Sequence, residues 1–182
     1  MNKPDHEIRL REASLQDLTL LKHWDDQPHN IESDPNDDWN WDTELTLKPD
    51  WREQLIAELN GRPIGFIQII DPAREESHYW GKVPGNYRAI DIWIGESQDL
   101  NQGYGTVMMT LALERCFKDE NVTTVLIDPL ETNLKAHRFY ERLGFRFLEK
   151  RKFGEDNCLV YRLNRSDWYA GLVCAGPGKQ AP

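Results

Sequence analysis

The chain reads as a single α/β domain of the α+β kind, a mixed and mainly antiparallel sheet flanked by helices, and three observations predict it. Short runs before residue 95 alternate apolar and polar residues, the period of strands with one buried face. Asn60-Gly61 stands between two such runs and is a strong hairpin signal. Beyond Gly103 the apolar spacing changes to that of helices, with one β-branched strand between two of them. The length of 182 residues, with 39% apolar and 29% charged, suits one domain with a sizeable core. The domain is expected over residues 1–170, and the Gly-, Ala- and Pro-rich residues 171–182 as a frayed tail.

In order, Ile8 to Arg11 alternates like a strand. Ser14 with Asp17 in the following turn predicts a capped helix through about Trp24. Residues 26–50 are polar, hold three prolines and read as loop with room for a helical turn. Glu53–Leu59 and Ile64–Ile70 are the hairpin strands on either side of Asn60-Gly61. Residues 71–85 are irregular, and Tyr87–Gly95 is a strand with Ile90, Ile92 and Ile94 on one face and Ala89, Asp91 and Trp93 on the other. A helix opens at Gly103-Tyr104-Gly105-Thr106, with Val107, Met108, Leu111, Ala112 and Cys116 at helical spacing. Val122–Ile127 is a strand, Asn133–Leu143 a helix stopped by Gly144, and Phe145–Glu149 with Leu159–Leu163 a final strand pair.

Charge and composition narrow the function. A formal net charge of −9 argues against non-specific nucleic-acid binding. The opening residues lack the apolar centre of a signal peptide, and no apolar run reaches membrane-spanning length, so a cytoplasmic protein with no membrane partner is expected. Three cysteines, Cys116, Cys158 and Cys174, form neither a metal spacing nor an evident disulfide framework, and no metal is expected. Between Asp25 and Asp50 lie nine acids, Asp37 among them, against the single lysine Lys48, together with Trp39 and Trp41 and with Trp24 just before them. Acid and indole together suit an amphipathic cation, and Trp39 and Trp41 are its candidate contacts. Tryptophans anchoring a loop to the core would look the same.

Two motifs carry chemistry. In the strand–turn–helix unit from Ile90 to Phe117, the glycines let backbone amides approach a ligand, and the helix N-terminus faces the same place. Such a unit suits a pyrophosphate held without a lysine, and a plain tight turn before a helix would read the same. The run Asn133-Leu134-Lys135-Ala136-His137-Arg138-Phe139-Tyr140-Glu141-Arg142-Leu143-Gly144-Phe145 puts Ala136, Tyr140 and Leu143 on one helical face.

At this order and spacing the two motifs resemble the GNAT acetyltransferases, from Ile8 to about Trp168 and most strongly from Tyr87 to Phe145. The resemblance implies the GNAT acyl-CoA N-acyltransferase fold and acetyl-CoA as cofactor. It implies that Gln102, Gly103, Tyr104, Gly105 and Thr106 hold the pyrophosphate by backbone amides. Trp93, Ile94, Asn133 and Ala136 would line the rest of the cofactor, and Tyr140 would face the thiol and protonate the leaving thiolate. Leu100 departs from the Arg or Gln usual three residues before the first glycine. A narrower resemblance is to the aminoglycoside 6'-N-acetyltransferases of the Ib type. It rests on Arg88-Ala89-Ile90-Asp91, Leu100–Thr106, Asp128–Ala136, Asn60–Gly65 and the acidic, Trp-rich loop. That resemblance implies Asp91 as base, Asp128 and Asp156 as contacts for the drug's amines, and Tyr79 and Trp80 as the aromatic pair of the acceptor site. Ala89 in place of Gly, and the segment Trp93-Ile94-Gly95-Glu96, depart from it and bear on substrate range.

The expected reaction is acetyl transfer from acetyl-CoA to a primary amine, the 6'-amino group of an aminoglycoside, by a monomer or homodimer. A carboxylate near pKa 3.9 is a weak base, so alignment of the ammonium is the larger part expected of Asp91. Other readings stay open at this stage. The acceptor would then be a siderophore precursor, a polyamine or a protein N-terminus, or the chain a non-catalytic acyl-CoA sensor.

Overall fold

The computed structural model describes residues 7–36 and 38–175; Asp37, the opening residues 1–6 and the last seven residues of the expected tail lie outside them. Among the described residues, seven strands form one sheet in the order β1-β2-β3-β4-β5-β7-β6. The backbone contacts of the described residues group into two compact units, one of those up to Gln68 with Asp91–Ala112, the other of Ile69–Ile90 with those from Leu113 onward.

In the first unit, β1 (Ile8–Glu12) lies antiparallel to β2 (Arg52–Leu59), from Ile8 opposite Leu59 to Glu12 opposite Leu55. The Asn60-Gly61 turn that follows β2 has φ of 51° and 84°. Those left-handed angles are what a two-residue turn matching strand twist requires, and they lead into β3 (Arg62–Ile70). Ser14 caps a single helical turn over Leu15–Asp17 in a capping box closed by Asp17, which also takes two bonds of 2.7 and 2.9 Å from the Arg11 guanidinium. α1 (Leu18–Asp25) follows directly. The stretch expected as loop carries two short helices, α2 (Pro28–Ser33), with proline at its first position, and α3 (Trp41–Glu44). Leu21, Trp24, Trp41, Ile56 and Phe66, all 2% exposed or less, form the core here. At about 1.5–3 kcal/mol for each large apolar side chain buried, this cluster outweighs any local propensity in the loop.

β4 (Tyr87–Ile94) begins in the second unit. There Tyr87, Arg88 and Ala89 run parallel to Thr124, Val125 and Leu126 of β5 (Thr124–Ile127). α4 (Tyr104–Lys118) buries Met108, Met109, Ala112, Leu113, Cys116 and Phe117, so its apolar face includes Met109, Leu113 and Phe117 where Val107 and Leu111 were expected. α5 (Leu134–Arg142) ends as its glycine predicts. Gly144 has φ +91°, its N–H bonds the Glu141 carbonyl, and the Phe145 N–H reaches back to Tyr140, the paired bonds of a Schellman stop. The final strands are longer than expected: β6 (Arg146–Phe153) and β7 (Asp156–Asn164) form a hairpin about Gly154-Glu155, with Phe153 opposite Asp156. The charged run Glu149–Lys152 hides its outer half from an alternation test.

The expectation of a tail from residue 171 is corrected, because α6 (Arg165–Ala175) continues through that point. Trp168 is buried beside Phe117, and Ala170 and Ala175 suit a helix, so the run carries more helix-forming character than its glycine suggested.

Candidate active site

The outer end of β4 is held in place by its neighbours in the first unit. Gly65 on β3 has no room for a side chain: a Cβ would lie 2.4 Å from the Trp93 carbonyl and 2.7 Å from the Met108 methyl. Gly95 is equally closed, with the Trp24 ring at 2.0 Å from a built Cβ, and its N–H bonds the Ile64 carbonyl at 2.9 Å. His29 of α2 donates from Nε2 to the carbonyl of Ile94 at 2.9 Å. Sequence reading missed His29, because a histidine in a polar loop carries no periodic signal.

Asp91, two residues before Trp93 on the same face, is half-buried. Gln68 of β3 donates from Nε2 to its Oδ2 at 2.8 Å, and Gln54 of β2 donates to Gln68 Oε1 at 3.2 Å. Beside them stand four aromatic rings. Phe66 stacks on Trp93 at 4.6 Å between centroids, and Trp39 stacks on Trp41 at 4.9 Å. Trp41 is 2% exposed and gives its indole N–H to Asp25, so it anchors the acidic loop to the core, the alternative left open for it. Trp39 is half-buried and keeps surface to offer. Several loop acids are likewise engaged in pairs, Asp42 with Lys22 and Glu44 with Arg52.

The glycine turn opens α4 in the same unit. Arg62 grips the buried Asp99 with two bonds of 2.7 and 2.8 Å, which fixes the chain just before the turn. Asn101 and Gly103 then take φ of 59° and 82°. Thr106 and Val107 close the first helical bonds onto the Gly103 carbonyl. The earlier amides of a helix have no partner within it, and left-handed residues ahead of them turn successive N–H groups to one side. Gln102 and Gly103 are exposed, and Tyr104, Gly105 and Thr106 half-buried. This donor set fits a pyrophosphate.

In the second unit Tyr79 and Trp80, two of the expected acceptor residues, pack on Phe153, which sequence reading missed. Tyr79, 48% exposed, stacks on Phe153 at 4.3 Å, and the buried Trp80 meets the same ring edge-on at 5.3 Å. Asp156 faces Phe153 across the hairpin. The Tyr79 hydroxyl donates to Asp128 Oδ2 at 2.7 Å. Loss of water pushes the Asp128 carboxyl up to about 6, against the opposing pull of the Tyr79 hydroxyl and the Arg151 guanidinium. Arg151, also missed, lies 5.5 Å from the Phe153 ring centre and donates to the Trp80 carbonyl at 2.9 Å.

α5 places the remaining candidates. Asn133 caps the helix, its side-chain oxygen accepting from the Ala136 N–H at 3.1 Å, a structural duty that the motif reading had not given it. Tyr140 is 9% exposed, and its ring meets Phe145 at 5.8 Å. That is the hydrophobic contact expected between the two ends of a Schellman stop. Among the described residues no group of acids, histidines and cysteines is arranged to hold a metal ion, and no helix is long and apolar enough to cross a membrane.

Comparison with known proteins agrees with this architecture. The model of the acetyltransferase (GNAT) domain family matches residues 14–153. An aminoglycoside N(6')-acetyltransferase type 1 of Klebsiella pneumoniae is 30% identical over 153 residues, covering 76% of this chain and 73% of that protein. The crystal structure of the aminoglycoside acetyltransferase AAC(6')-Ib in complex with coenzyme A and kanamycin superposes with a TM-score of 0.81 at 25% identity, over 90% of this chain and 98% of the other. Its complex with coenzyme A alone gives a TM-score of 0.80 over the same shares. With the glycine turn, the Asn-capped helix and this likeness along most of its length, the chain belongs to the GNAT acetyltransferase family and is a relative of the aminoglycoside N(6')-acetyltransferases.

Proposed function

We propose that the protein acetylates the 6'-amino group of aminoglycosides, and that this modification of the drug gives antibiotic resistance. The observation that carries the reading is the half-buried Asp128 carboxylate, bonded by Tyr79 and backed by the stacked Tyr79 and Phe153 rings. An aminosugar presents ammonium groups on a ring with apolar C–H faces, and such a ligand calls for carboxylates beside aromatic surface. Asp156, at the head of β7, is a second amine contact, and Trp80 supports the aromatic floor.

Acetyl-CoA, when bound, supplies the acetyl group as a thioester. The amides from Gln102 to Thr106 hold its pyrophosphate, and Trp93, Ile94, Asn133 and Ala136 line the arm. Asp91 aligns the substrate ammonium and accepts its proton, directly or through water. Tyr140 Oη is the proton source on the leaving-group side. Trp39 offers a further apolar contact for the acceptor, with Trp41 behind it. The protein works in the cytoplasm as a monomer or homodimer.

Thiol release from acetyl-CoA with kanamycin-type substrates tests the reading. The wild type should turn over aminoglycosides, and Asp91→Asn should lower kcat by about 10²-fold or more. Asp156→Asn should act mainly through KM. A wild-type protein that acetylates other amines and no aminoglycoside would refute the drug assignment.

A further inference from the structure

Gln68 is 5% exposed and sits on β3 between Ile67 and Ile69, which are 0% and 4% exposed. An amide in such a place costs free energy unless both its ends are bonded, and apolar packing has no use for it. Both ends are bonded here, and in one sense only. Gln54 Nε2 gives a hydrogen to Gln68 Oε1, and Gln68 Nε2 gives one to Asp91 Oδ2. With Gln54 as placed, turning the Gln68 amide over would set donor against donor there, and against an ionised Asp91 it would set oxygen against oxygen. The three side chains therefore form a directed chain of donors across three adjacent strands, ending on a carboxylate.

We propose that Gln68, braced by Gln54, is a positioning residue that holds the Asp91 carboxylate in one orientation and in its charged, hydrogen-accepting form. This rests on the assignment of Asp91 as the group that meets the substrate ammonium. A donor aimed at a carboxylate favours the ionised state. The relay thus suits Asp91 to pairing with an ammonium and passing its proton on, and works against storing that proton. It also fixes the plane of the carboxylate before substrate arrives, so that little is lost in ordering it during the reaction.

The test uses Gln68→Met, Gln68→Glu and Gln54→Leu in the full-length protein. Carbon-13 NMR of the free protein follows the side-chain carboxyl of Asp91, identified by its loss in Asp91→Asn. Gln68→Met should raise the proton affinity of Asp91 by about tenfold, one pH unit in its midpoint. Gln68→Glu should raise it further through a second negative charge, and Gln54→Leu should shift it less, in the same direction. The acid limb of kcat/KM should move in step. An Asp91 midpoint unchanged in Gln68→Met overturns the inference even where activity falls, since packing alone would then explain the loss. If Gln68→Met fails to fold, an unchanged midpoint in Gln54→Leu, at a half-buried position, overturns it instead. Wild-type protein inactive on aminoglycosides would sink the functional reading separately, because the titration needs no turnover.

Discussion

Replacing Asp128 by asparagine should stabilise the protein while weakening its grip on the acceptor. The Asp128 carboxyl is raised from 3.8 to about 6, mainly by loss of water. In the unfolded chain it ionises near its ordinary value, so between about pH 4 and 6 the unfolded state gives up a proton that the folded state keeps. Stability contributed at low pH is therefore lost as pH rises through the folded midpoint, and the cost of the buried charge is complete above it. The gap corresponds to about 3 kcal/mol at full weight. Asp128 is half-buried, and solvent screening reduces that to roughly 1–2 kcal/mol. Asparagine keeps an acceptor for the Tyr79 hydroxyl and carries no charge. Urea unfolding of both proteins at about pH 4 and pH 8 should show a small difference at the lower pH and an Asp128→Asn advantage of roughly 1–2 kcal/mol at the higher, or about 2–8 °C in Tm. An advantage equal at both pH values, or a variant less stable at pH 8, would refute the reasoning. The same variant should raise KM for a polyamine-bearing drug, an instance of stability given up for binding.

Tyr140→Phe keeps the ring that packs on Phe145, so the fold should stand; single-turnover rates should fall if the hydroxyl supplies the proton, and a wild-type rate would leave Tyr140 as packing alone. Gly103→Val should cost about 1–2 kcal/mol, because valine resists φ of +82°. It should also weaken acetyl-CoA binding in calorimetry; unchanged affinity in a folded variant would separate the turn from the cofactor.

Elements whose signal is local were legible in the sequence. Asn60-Gly61, the Ser14–Asp17 box and Gly144 each encode their turn or cap in two or three residues, and the structure uses each in that way. What long-range packing decides was not legible. Residues 26–50 became partly helical because Trp41 and Leu45 are drawn into the core of the first unit, a tertiary effect that overrides turn-forming composition. Phe153 and Arg151 lay in a charged run with no period to betray the hairpin. Trp41 shows the same limit in the other direction, since an indole near acids reads alike whether it meets a ligand or the core. At the candidate site, the family resemblance around Arg88–Asp91 pointed to Asp91, but nothing in it pointed to Gln68, which lies one hairpin strand away.

The stacked Trp39 and Trp41 rings, 7° from parallel, have a use beyond packing. Indoles so close and so aligned couple their electronic excitations, and Trp93 of β4, 5.2 Å from Trp39, joins them, so near-ultraviolet circular dichroism should carry a signal from the loop and the strand it packs on. A ligand or loop movement that separates these rings should change that signal, so acceptor binding could be followed without an attached label.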